Sequence, residues 1–242
     1  MNVLPVDSTA VFTTPEVFVP GDGPRLNYRL YKPALQPGAK VPLVLFLHGS
    51  GECGSDNRSQ LVHCVPALVS YLRAKDAKAI VVAPQCQSMQ DGWVDIDCIR
   101  RRAAMPAEPT RTMKGVIGLL DSMVASGMVD ASRVYVTGLS LGGFGTWDLI
   151  QRRAQSFAAA MPLCGGGDVS LAPKLAGLPI WVFHGEKDPA VPVECSREMV
   201  RAIDAAGGRK ILYSETPGAG HDIWTAAYSD EAVWDWLFEQ RK

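Results

Sequence analysis

Short uninterrupted apolar runs recur along the chain, at 42–47 (PLVLFL), 79–83 (AIVVA), 133–137 (RVYVT), 158–162 (AAAMP), 179–184 (PIWVFH) and 209–214 (RKILYS). Their length and β-branched content predict strands. Stretches with helical spacing of apolar positions separate most of them, near 59–74, 112–127, 142–155, 193–206 and 228–240. A strand that is apolar throughout must be covered on both faces, and one that alternates with a helix returns as a parallel neighbour through a right-handed crossover. The pattern therefore predicts an α/β fold, a doubly wound, mostly parallel sheet. Upstream, 17–19 and 26–31 flank the turn-forming PGDGPR and predict an N-terminal antiparallel hairpin, followed by the linker KPALQPGAK.

No repeat, low-complexity tract or internal boundary interrupts this alternation, so 1–242 is expected to form a single domain with no large cap. The least regular segment, 84–111, carries Trp93, Met105, Pro106 and Pro109 and is a candidate cover for a site. In open sheets of this kind, ligands gather at the C-terminal ends of the strands. Any chemistry-bearing residue should then fall just after an apolar run.

Composition narrows the function classes. Apolar residues make up 47% and charged residues 20%, with 24 Lys+Arg against 25 Asp+Glu, which argues against disorder and against a nucleic-acid partner. No apolar run reaches the roughly 18–20 residues of a membrane span. The N-terminus lacks the basic start and apolar core of a signal peptide, which favours the cytoplasm, although a mature secreted or periplasmic form would read the same way. The six cysteines show no CxxC spacing. They are read as small core residues, with no metal expected and a Cys53–Cys86 disulfide as a minority alternative. The expected assembly is a monomer or small homo-oligomer.

The run 133–147, RVYVTGLSLGGFGTW, passes from a predicted strand into a predicted helix through Gly138-Leu139-Ser140-Leu141-Gly142. The G-x-S-x-G pentapeptide alone is a weak signal, but a strand-to-helix setting is where a strained turn would lift a serine hydroxyl above the sheet. The alternative is a glycine-rich turn that only packs the helix. A serine hydroxyl needs an imidazole base and a carboxylate to orient it. Of the four histidines, His221 in TPGAGHDIW follows the last apolar run within a glycine-bearing loop and is the best base. His48 and His184 each precede a glycine and are read as shaping turns, and His63 as a structural residue within a helix. Asp188 in HGEKDPAVP is the first choice for the acid, with Asp168 as its rival.

Backbone donors for a developing oxyanion are expected from Leu141, at the helix start, and from Ser50 in HGSGECGSDN, with Gly51 as second choice. Neither GxxxxGK[ST] nor GxGxxG is present, which argues against a nucleotide. Trp93 and Trp224 as aromatic walls, and Glu52, Gln85 and Asn57 as polar contacts, are candidate substrate-binding residues. Trp147 is read as core.

The stretches PLVLFLHGSGECGSDN, VVAPQC, VTGLSLGGFGTWDL, PIWVFHGEKDPAVP and GHDIWTAAYSDEAVWDWL resemble the small single-domain esterases of the α/β-hydrolase superfamily. These include the dienelactone-hydrolase-like, phospholipase/carboxylesterase and polyhydroxybutyrate-depolymerase/feruloyl-esterase-like groups. The resemblance runs from about residue 25 to the end. It implies a serine carboxylesterase acting on a small-molecule ester of acetyl or feruloyl type, with Ser140, Asp188 and His221 as its triad and no cofactor. Two departures stand out. Dienelactone hydrolases proper use a cysteine where this chain has Ser140, and prolyl oligopeptidases carry a propeller domain for which this chain has no room. A peptidase or amidase, and a non-catalytic binding module on the same fold, are the alternatives.

Overall fold

The structure, a computed structural model, describes residues 13–19, 25–95 and 104–242. Eight strands form one sheet: β1 (Thr14–Phe18), β2 (Leu26–Tyr31), β3 (Val41–Leu47), β4 (Ile80–Gln85), β5 (Val129–Leu139), β6 (Ala159–Leu163), β7 (Ile180–Gly185) and β8 (Ile211–Thr216). Their spatial order is β1-β2-β4-β3-β5-β6-β7-β8. β1 pairs antiparallel with β2, opposing Phe18 to Leu26, and β2 pairs antiparallel with β4. From β4 to β8 every pairing is parallel, the doubly wound arrangement expected from the alternating runs.

Alternation within a strand decides what each face receives. On the central strand β3, Leu43, Leu45 and Leu47 enter one buried cluster and Val44 and Phe46 the other. The first cluster takes apolar residues from three helices: α2 (Arg111–Ala125) through Met113 and Val116, α3 (Leu141–Arg153) through Leu149 and Ile150, and α4 (Glu194–Ala205) through Met199 and Ile203. The second takes Leu68 and Leu72 of α1 (Cys64–Ala74), Trp224 of α5 (Trp224–Ser229) and Val233 and Leu237 of α6 (Glu231–Glu239). Both faces of β3 and β4 are covered, which is why their sequences carry no polar alternation.

Several element bounds differ from the sequence reading for local reasons. The helix expected over 228–240 is two helices, because Asp230 leaves the helical conformation and its side chain caps Ala232 N at 2.9 Å. The one expected over 59–74 opens as a short 3₁₀ turn, Ser59–Leu61, before α1 begins at Cys64, so His63 precedes the helix instead of lying within it. An unforeseen 3₁₀ helix, Val169–Leu175, is capped by Asp168, whose carboxylate accepts Ser170 N at 2.9 Å. Within the segment read as a cover, 96–103, including Cys98, lies outside the described residues. Its described end is tied down: Met105 N donates to Asp168 Oδ2 at 2.8 Å, and Arg152 binds the carbonyls of Pro106 and Ala107.

Candidate active site

β3, β5, β7 and β8 run parallel, so their C-terminal ends share one edge of the sheet, and the chain leaving each supplies one part of the site. Leaving β5, the chain turns directly into α3 at Ser140, with φ 54° and ψ −118°. That is a conformation few L residues adopt, and a sharp connection between two packed elements is what enforces it. The connection leaves no space beside it. A Cβ on Gly138 would run into the carbonyls of Gly142 and Leu47, and one on Gly142 into those of Leu47 and His48. Because the obstructing atoms are backbone, Gly142→Ala is expected to lower folding stability by about 3 kcal/mol or more. A urea-unfolding midpoint equal to that of the parent would contradict this reading of the turn.

Ser140 Oγ lies 2.9 Å from His221 Nε2, and His221 Nδ1 lies 2.6 Å from Asp188 Oδ2. Asp188 follows β7 and its side chain is fully buried. Its Oδ1 accepts the backbone N–H groups of Ala190 at 2.8 Å and Val191 at 2.9 Å. Burial pushes this carboxyl upward, but those two N–H groups and the His221 imidazole outweigh it and hold the group below its ordinary value. An ionised carboxylate only accepts, so the hydrogen-bond pattern places the proton of neutral His221 on Nδ1 and leaves Nε2 as a base facing the serine hydroxyl. Asp168, the rival acid, is engaged in capping 169–175 and takes no part in this chain of bonds.

Two supports behind this chain were not read from the sequence. His184, placed by its position next to a glycine as a turn residue, lies behind the acid. Its Nε2 is 3.3 Å from Asp188 Oδ2 and 3.0 Å from the Val191 carbonyl, and its Nδ1 is 2.7 Å from Ser196 Oγ. Facing two acceptors, Nε2 carries the proton, and burial favours the neutral imidazole. Cys164, read as a small core residue, adopts φ 49° after β6 and donates its thiol to the His221 carbonyl at 3.3 Å. The one signal in the sequence for His184 is its place at the end of β7, one turn ahead of Asp188. Cys164 had none, because its role depends on a loop from another strand.

The candidate oxyanion donors follow the ends of β3 and β5. Leu141 is the first residue of α3, where the first-turn N–H groups have no partner within the helix. Ser50 opens the 3₁₀ turn Ser50–Glu52 that follows β3, and both Ser50 and Gly51 are exposed. The polar residues proposed as substrate contacts instead build this loop. Glu52 is buried and accepts Gly49 N at 2.8 Å, with His63 Nε2 3.4 Å from its other oxygen. Gln85 is buried, accepting Asn57 N at 2.7 Å and donating to Glu52 O at 3.1 Å and Asp56 Oδ1 at 2.7 Å. Asn57 holds φ 50° and bonds Glu16 O and Gln60. The bonds found for these residues are made within the protein and hold the loop together, in place of the substrate contact expected of them.

The tryptophans divide. Trp93 is 0% exposed and donates Nε1 to the His48 carbonyl at 2.9 Å, so it packs under the loop and lines no opening, contrary to expectation. Trp147 is core, as read. Trp224 stands edge-on to His221, with ring centroids 5.0 Å apart at 90°, and packs on its other side against His63. It is the aromatic beside the triad. His48 shapes its turn as expected, through Nδ1 to the Gly49 carbonyl at 2.6 Å, while its Nε2 accepts Cys86 N at 3.1 Å.

Residues 36–230 match the phospholipase/carboxylesterase family. The chain belongs to that family. Members of the phospholipase/carboxylesterase family have the α/β-hydrolase fold, and this chain has it. A thermostable esterase of known structure superposes with a TM-score of 0.87 at 35% identity, covering 97% of this chain and 64% of that one. Poly(3-hydroxyalkanoate) depolymerase C of Paucimonas lemoignei is 30% identical over 174 residues, 68% of this chain and 37% of that protein. The present chain thus spans a little over a third of the depolymerase's length. A ferulic acid esterase shares the fold, with a TM-score of 0.70 at 17% identity and coverage of 93% and 97%. Among the described residues, no helix is long and apolar enough to cross a membrane.

Proposed function

We propose that this protein is a serine carboxylesterase that hydrolyses small or aromatic esters through an acyl-enzyme. The observation that carries the reading is the unbroken chain from Ser140 Oγ through His221 to Asp188, at 2.9 and 2.6 Å, on a strained strand-to-helix turn. Ser140 attacks the ester carbonyl while His221 Nε2 takes its proton, and the resulting imidazolium is stabilised by the Asp188 carboxylate. In this reading the N–H groups of Leu141 and Ser50 donate to the oxyanion that forms on the substrate. His221 then protonates the departing alcohol and activates the water that releases the acid. Each of these steps is carried by groups of this chain. Family membership and the likeness to the esterase and the depolymerase support ester hydrolysis as the class of reaction.

Support for an aromatic substrate comes from Trp224, whose ring stands edge-on to His221 with centroids 5.0 Å apart. A separate cavity of about 270 Å³, lined by Val94, Met105, Phe144, Gln151, Val169 and Cys195 among others, has none of Ser140, Asp188 and His221 in its wall. Phe144 is one helical turn beyond Ser140, whose carbonyl accepts its N–H at 3.1 Å. Across p-nitrophenyl esters of rising acyl length, together with methyl ferulate, kcat/KM is expected to be highest for short or aromatic acyl groups and at least about 10-fold lower for long chains, about 1.4 kcal/mol at the transition state. A maximum at long chains would exclude this substrate class, and faster cleavage of a matched anilide would favour the amidase alternative. Failure of an active-site fluorophosphonate to label the protein would favour a binding module.

A further inference from the structure

Cys53 and Cys86 stand 33 residues apart in sequence, yet their Sγ atoms are 3.3 Å apart. Three contacts hold them there. Gly54 N donates to the Cys86 carbonyl at 3.0 Å, Cys86 N donates to His48 Nε2 at 3.1 Å, and the neighbouring Gln85 bonds Glu52 O at 3.1 Å. The chain segments on both sides of the pair are therefore already hydrogen-bonded to each other, and the sulfurs have only about 1.3 Å to close to reach the length of a disulfide. Cys53 N also closes the turn that carries Ser50, donating to the Ser50 carbonyl at 3.4 Å.

We propose that Cys53 and Cys86 are an oxidation site, forming an intrachain disulfide that fastens the Ser50–Glu52 turn to the end of β4. The proposal concerns covalent structure and does not depend on the ester-hydrolysis reading. Cys53 is half-buried and reachable, whereas Cys86 is buried. Hydrogen bonding from Cys86 makes the Cys53 thiol the more acidic of the two, while the same contact and burial push Cys86 upward. With glutathione disulfide as oxidant, the Cys53 thiolate attacks one of its sulfurs, forming a mixed disulfide and expelling one glutathione thiolate. Cys86 loses its proton to solvent and attacks Cys53 Sγ, expelling the second glutathione. Two protein thiols are oxidised, one small disulfide is reduced to two thiols, and the two protons from Cys53 and Cys86 balance the two thiolates released. His48 lies close enough to complete a metal-type trio with the pair, but its Nε2 is already occupied by Cys86 N–H.

The test is to expose the purified full chain to glutathione disulfide, alkylate it under denaturing conditions and map its six cysteines by peptide mass spectrometry. The expected result is one linked peptide pair containing Cys53 and Cys86, lighter by two hydrogens, and two fewer alkylated thiols. Oxidised protein should melt about 5–10 °C above the protein treated with dithiothreitol. The C53A/C86A double variant should show no such response to the reductant, whatever its own baseline stability. Six alkylated thiols after oxidation would overturn the proposal. So would linkage to a different cysteine, a reductant-dependent shift that persists in the double variant, or thiols unmasked by a chelator without a mass change.

Discussion

Ser140→Ala is expected to lower kcat for a p-nitrophenyl ester by about 10⁴-fold or more and to leave the melting transition close to that of the parent protein. The two parts of this expectation have separate physical sources. Activity is lost because, among the described residues, Ser140 Oγ is the hydroxyl bonded to His221 Nε2, 2.9 Å away, and alanine has none. Stability is kept because the turn is built from backbone contacts and glycine clearances. Ser140 N donates to the Leu163 carbonyl at 3.0 Å and Phe144 N to the Ser140 carbonyl at 3.1 Å, bonds that do not involve the hydroxyl. Alanine at φ 54° meets no more backbone strain than serine does. Steady-state kinetics with thermal denaturation on the same preparation separates the two. Retained esterase activity in a folded variant would remove Ser140 from the mechanism.

Asp188→Asn is expected to lower kcat/KM at neutral pH by about 10³–10⁴-fold, although it changes one oxygen to an amide nitrogen. The amide oxygen would keep the backbone N–H groups of Ala190 and Val191 that now bind Oδ1. The NH₂ would then face His221 Nδ1, 2.6 Å from the present Oδ2, and the His184 N–H, 3.3 Å from it. Donor would meet donor at both imidazoles. His221 can relieve this only by moving its proton to Nε2, which turns the lone pair away from Ser140 and removes the base. A pH–rate profile of the variant with intact Ser140 checks the argument. A loss smaller than about 10-fold at neutral pH would show that the orientation of His221 does not depend on Asp188.

Much of the site was legible in one dimension because its parts follow apolar runs. Ser140, Asp188 and His221 come after β5, β7 and β8, and a parallel sheet brings those ends to one edge whatever the intervening helices do. The strand positions were readable for the same reason, since strands covered on both faces announce themselves as unbroken apolar sequence. The weaker readings were those that turned on which way a side chain points. Gln85, Glu52 and Asn57 lie at or just after strand ends, but their polar atoms bond within the protein and hold the loop after β3. Trp93 and Trp224 are alike as letters, yet one lies under the loop and the other stands against His221. The break at Asp230 was missed because the periodicity of 228–240 continues across it, while a single capping carboxylate divides the helix.

By itself, the sequence determined the class of fold and the order Ser140, Asp188, His221 along it. Both follow from the period of apolar burial and from turn chemistry, which act over a few residues at a time. Whether Asp188 or Asp168 orients His221 was decided by tertiary structure. So was the alignment of His184 and Cys164 behind the triad, and the meeting of Cys53 with Cys86. Each of these is a distance of a few ångströms between groups on different strands or loops. Such distances are set by the register and twist of the whole sheet and by how its loops pack, and no local pattern of residues encodes them.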